Sequence, residues 1–148
     1  MKHIIILLVT LFSLTGAAQN DVTATLVSSM QVYAKGMDME IFYEEENEVS
    51  FIFRAKNKTI ERFQDDSDDS RLIYVKNVKE VGPHWLRYEG YDEKGSPIFL
   101  DTFSNPEDDI INHLRISFLK LGETESEDEW ITIAHDIEVG TSQLKKTF

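Results

Sequence analysis

Few folds other than a β-hairpin are open to the stretch from Pro83 to Phe103. Asp92-Glu93-Lys94-Gly95-Ser96 is a turn sequence: Asp92 opens a type I turn, and Gly95 takes the left-handed position of a G1 bulge, where a Cβ is penalised. Setting Asp92 opposite Ser96 places Arg87 across from Asp101, Trp85 across from Phe103 and Tyr88 across from Leu100. These are complementary pairs, and a one-residue slip would turn every side chain to the wrong face, so the register is specified. One face then carries Leu86, Tyr88, Ile98 and Leu100. The other carries Trp85, Arg87, Glu89, Tyr91, Phe99, Asp101 and Phe103.

The remaining segments are shorter and mostly β-like. Val22, Ala24 and Leu26 alternate as a strand does, while Leu26, Val27, Met30, Tyr33 and Ala34 also fit one side of a helix. A strand interrupted near Ser28-Ser29 is the preferred reading. Met37, Met39, Ile41 and Tyr43 alternate, and so do Val49, Phe51, Phe53 and Ala55. This spacing predicts a second hairpin, with Tyr43 opposite Val49, Ile41 opposite Phe51 and a tip at Glu44–Glu48. Thr59–Phe63, Arg71–Lys79, a strand from about Asn112 to Leu121, and Trp130–Glu138 follow, separated by acidic loops at Asp65–Asp69 and Gly122–Glu129. Asn105-Pro106-Glu107-Asp108-Asp109 combines a capping side chain, a proline and first-turn acids, and predicts one short helix near 105–111. The pattern points to an all-β, single-domain antiparallel β-sandwich, immunoglobulin-like or similar; a small β-barrel or an α+β arrangement is the alternative.

Three regions are expected: a signal peptide at 1–18, a β-rich domain at 19–138 and a C-terminal tail at 139–148. Lys2 precedes an apolar run from Ile4 to Leu14, and Gly16-Ala17-Ala18 supplies the small residues of a cleavage site before Gln19. That run is far shorter than the roughly 20 residues of a membrane-spanning helix. The mature protein is therefore expected in a periplasm or outside the cell. With no cysteine, it forms no disulfide, thiolate metal site or cysteine nucleophile. The net charge of −12 repels phosphate backbones, so nucleic acid is not an expected partner.

No catalytic or metal motif is present. Asp65–Asp69 lacks the turn glycine and closing glutamate of an EF-hand loop, and reads as a solvated acidic loop. His84, His113 and His135 have no paired ligand spacing, and neither a Gly-x-Ser-x-Gly elbow nor a phosphate-cradling glycine loop occurs. Phe148 would suit the end of an outer-membrane barrel strand, but Lys146 stands where the alternation demands an apolar residue. No metal and no cofactor are expected.

The mixed aromatic and carboxylate face of the hairpin remains. Trp85, Glu89, Tyr91, Phe99, Asp101 and Phe103 offer flat rings for stacking and carboxylates for hydroxyl groups, so the expected function is non-catalytic binding of a saccharide or a protein. A small hydrolase using paired carboxylates such as Glu89 and Asp101 is one alternative. An acidic inhibitor or accessory subunit of a basic partner is the other.

Overall fold

A computed structural model describes residues 24–36, 39–64, 70–122 and 128–137. The hairpin forms in the expected register: Trp85 pairs with Phe103, Arg87 with Asp101, Tyr88 with Leu100. Asp92 N–H donates to the Ser96 carbonyl at 2.9 Å and Gly95 N–H to the Asp92 carbonyl at 3.0 Å, with Gly95 at φ 83°. The Asp92 carboxylate closes the turn by accepting from the N–H groups of Lys94 and Ser96.

This hairpin supplies two of eight strands: β1 (Ala24–Lys35), β2 (Glu40–Arg54), β3 (Thr59–Gln64), β4 (Arg71–Gly82), β5 (Trp85–Tyr91), β6 (Pro97–Ser104), β7 (Ile111–Lys120) and β8 (Glu129–Ile137). Each pairs antiparallel with the next, and β8 pairs back onto β1, so one sheet closes into a barrel. Closure gives terminal strands a partner on each side. The inner face is packed with side chains, as a barrel of this strand number permits. Phe51, Phe53, Ile60, Ile73, Tyr88, Ile98, Leu100, Leu114 and Ile116 are all buried there in one cluster.

The expected all-β antiparallel class is found, but as one closed sheet, the barrel given as the alternative, rather than the preferred sandwich of two stacked sheets, because β8 pairs back onto β1. The predicted 105–111 helix does not form. Asn105 caps, accepting from Glu107 N–H through its side chain, and Asp109 N–H donates to the Asn105 carbonyl. The turn ends there because Asp109 adopts a left-handed φ of 58°, and β7 begins at Ile111. The predicted 37–55 hairpin is also replaced. Glu40–Arg54 is one continuous 15-residue strand, with Val49 opposite Ser28 and Tyr43 opposite Tyr33. Glu44–Glu48 contains no glycine or proline to turn the chain, whereas β1 offers a long partner. The expected interruption of β1 is present as a register shift between Ser28 and Met30. The predicted signal peptide, the 139–148 tail and the acidic Asp65–Asp69 run lie outside the described residues.

Two glycines are held for different reasons. A Cβ on Gly90 would lie 2.2 Å from the Tyr74 carbonyl oxygen, where β4 and β5 approach beside an irregularity in their register. A Cβ on Gly95 meets nothing within 4 Å, so only its positive φ opposes substitution. Gly90→Ala should therefore destabilise by about 2–3 kcal/mol, because strands must move apart. Gly95→Ala should cost about 1 kcal/mol through backbone conformation alone. Urea denaturation of both variants checks this ordering.

Candidate functional site on the outer face of β5 to β8

Alternation along β5 and β6 turns the candidate residues outward, and the register extends their rows across two further strands. Trp85, Phe103, His113 and Asp136 form one row; Arg87, Asp101, Arg115 and Ala134 form the next; Glu89, Phe99, Ser117 and Thr132 form a third. Trp85 stacks on Phe103 with ring centroids 5.4 Å apart, and Phe99 stacks on Trp130 at the same separation. Arg87 sits between the two stacks, its guanidinium carbon 5.7 Å from the Trp85 ring and 5.4 Å from that of Phe99. Arg115 lies over Phe103 at 4.8 Å. The result is a surface of alternating rings and guanidinium groups, each held by its neighbours.

The carboxylates predicted to face a ligand are already engaged. Asp101 is 5% exposed and takes two hydrogen bonds from Arg87, at 2.7 and 2.8 Å. Those bonds hold the Arg87 guanidinium above its ordinary pKa. Glu89 accepts from Lys79 at 2.7 Å, which draws its carboxyl below the usual range. Directly across from Glu89 is Phe99 rather than Asp101, so the carboxylates do not confront each other over an open site. Tyr91 stands apart, stacked on Tyr74 at 5.4 Å.

The described histidines sit in three different environments. His84 pairs with Asp109 and His113 with Asp136, while His135 points into the barrel. Among the described residues, no cluster of histidine, aspartate and glutamate could hold a metal ion. No helix among them is long and apolar enough to cross a membrane.

No protein-family model, curated protein or solved structure matches this chain.

Two groupings of residues are not visible in the sequence, although His113 and His135 figure in it singly. Arg115, His113 and Trp130 complete the outer surface, and became assignable only once β7 and β8 were placed in register beside β6. The second group is inside. Gln31 accepts from Arg62 at 2.7 Å and from the Tyr33 hydroxyl at 3.2 Å, and donates to the Asn47 carbonyl. The Tyr33 hydroxyl also reaches Glu45. His135 lies against Phe51 with ring centroids 4.8 Å apart, and neither of its ring nitrogens has a hydrogen-bond partner among the described residues. Desolvation, reinforced by Arg62 and His113, lowers its pKa to about 3, so it is neutral at ordinary pH.

Proposed function

We propose that this chain is an exported, non-catalytic binding domain that docks a protein partner on the outer face of β5–β8. The observation that carries the reading is the preformed run of Trp85, Phe103, Arg87, Phe99, Trp130 and Arg115, with Trp130 39% exposed and Arg115 exposed. Tryptophan and arginine are the residue types that dominate binding energy at protein interfaces, and side chains already ordered by stacking lose little entropy on docking. A saccharide is less well served, because Asp101 and Glu89 are taken up by Arg87 and Lys79. Export rests on the Ile4–Leu14 run and the small residues before Gln19.

Alanine substitution of Trp130 together with Arg115 provides the test, against a panel of immobilised proteins and glycans. Affinity for a protein member should fall by about 2 kcal/mol, roughly thirtyfold, while the unfolding free energy changes little. Binding that survives the double substitution would place the interface elsewhere; a purely glycan-directed response would restore the saccharide reading.

One observation favours a second reading, an acidic partner for a basic protein. β3 pairs with β2 only from Val49 to Arg54, and the earlier part of β2 exposes Ile41, Phe42 and Tyr43 among Glu40, Glu44, Glu46 and Glu48. Binding through that segment should weaken steeply with salt, whereas docking on the ring surface should not.

A further inference from the structure

The register sets Arg54, Thr59, Tyr74 and Tyr91 in one row across β2, β3, β4 and β5. Their neighbours Phe53, Ile60 and Ile73 point into the core, so this row lies on the outer side of the sheet. Tyr74 and Tyr91 stack there with ring centroids 5.4 Å apart and planes 18° from parallel. A groove of about 500 Å³ opens in front of Tyr74, with Tyr91 behind that ring. Its floor is Leu72 and the short side chain of Thr59, which is 7% exposed. The far wall is Arg54 and Glu61, joined by a hydrogen bond of 2.6 Å, and Asn57 lines the groove from the 55–58 turn. That turn is pinned: Lys58 N–H donates to the Ala55 carbonyl at 3.2 Å, and Val75 N–H to the Lys58 carbonyl at 2.8 Å.

The two walls differ in chemistry and stand two strands apart, roughly 10 Å at the backbone. That spacing admits one sugar ring, stacked on an aromatic on one side and hydrogen-bonded on the other. A hydroxyl both donates and accepts, and the far wall meets both needs: Glu61 accepts, Arg54 donates, and the Asn57 amide does either. Because Arg54 and Glu61 bond each other, the wall offers these groups as a compensated pair, which suits a neutral polyol better than an ion. Among the described residues that pair uses only Nη1 of Arg54 and Oε2 of Glu61. On the β5–β8 surface, by contrast, both oxygens of Asp101 and both of Glu89 already accept bonds. The stacked rings, the ion pair and the pinned turn are ordered before any ligand arrives, which lowers the entropy lost on binding.

We propose that this groove binds a neutral pyranose saccharide, one sugar ring lying against Tyr74 with its hydroxyls on Glu61, Arg54 and Asn57. The site is separate from the outer surface of β5–β8 and stands or falls independently of it. The test is titration of the isotope-labelled protein with cellotriose, maltotriose and chitotriose, and in parallel with benzyl alcohol, followed by amide chemical shifts. At least one trisaccharide should shift the amides of residues 54, 57–61 and 72–74 saturably at millimolar concentration, and benzyl alcohol should not. Tyr74→Ala should weaken that trisaccharide roughly tenfold, the loss expected for one stacked ring, whereas Tyr74→Phe should bind within about twofold of the parent. Glu61→Gln keeps the shape of a partly exposed side chain and loses its charge, so it should fold as the parent does and weaken binding in the same direction. Trp130→Ala/Arg115→Ala should leave the trisaccharide affinity unchanged. Absence of shifts from all three trisaccharides, shifts centred on Trp85 and Trp130 instead, equal shifts from benzyl alcohol, or unchanged affinity in Tyr74→Ala or Glu61→Gln would overturn the proposal.

Discussion

Acidification from pH 7 to pH 4 should cost the native state about 3 kcal/mol through His135 alone. Its pKa is about 3 in the barrel against 6.5 for a free histidine. Above pH 6.5 the side chain is neutral whether the protein is folded or unfolded, and contributes nothing to the pH dependence. Below 6.5 the unfolded chain takes up a proton that the folded barrel refuses, so stability falls by about 1.4 kcal/mol per pH unit. The loss levels off below pH 3, near a total of about 5 kcal/mol. Carboxylates add their own acid sensitivity, so the informative quantity is a difference between proteins. His135→Leu removes a side chain that makes no hydrogen bond among the described residues and fills similar space against Phe51. Urea denaturation at pH 7 and pH 4 should show the variant losing about 3 kcal/mol less than the parent. Equal losses in the two proteins would mean that His135 is protonated in the native state.

Arg87→Ala should destabilise the barrel by about 3 kcal/mol, because it strands a carboxylate rather than merely removing a contact. Asp101 is 5% exposed and receives both of its described hydrogen bonds from Arg87. The Arg87 side chain is itself 34% exposed, which holds the expectation at the lower end of the range for a broken buried pair. Arg87→Met/Asp101→Leu should recover most of the loss, since apolar replacements leave no charge to desolvate. A double-mutant cycle measured by thermal unfolding decides it. Additive effects of the two single changes would show that the pair is not energetically coupled.

How much of this was legible in the residues depended on the range of the interaction. The β5–β6 hairpin could be read to the residue because a turn, an ion pair and two apolar faces all lie within about twenty consecutive positions. The β1 irregularity at Ser28-Ser29 was also visible, as a break in alternation. By contrast, Glu40–Arg54 pairs chiefly with β1, and its local alternation looks the same whether the strand turns at Glu44–Glu48 or runs on. The 105–111 segment carried true capping signals, but nothing in them encodes the left-handed Asp109 that stops the turn. Closure depends on β8 meeting β1 across most of the chain, and no local pattern reports that. The same distance hid the partners of the candidate site. Asp101 was correctly set against Arg87, but the consequence, that it is spent on structure, follows from its burial. Trp130 and Arg115 join the surface only through the β6–β7–β8 register, and Gln31, Arg62 and His135 converge only inside the closed barrel.

The two tryptophans of the chain, Trp85 and Trp130, both lie on the outer surface assigned to the partner, so their emission reports on it directly. Titrating a protein partner while recording tryptophan emission, with heat of binding measured in parallel, is the most direct check. Emission should change saturably along the calorimetric isotherm, and Trp130→Phe should abolish most of the change because that ring is the more exposed of the pair. A partner that binds by calorimetry while leaving the emission of both tryptophans untouched would contradict docking on β5–β8.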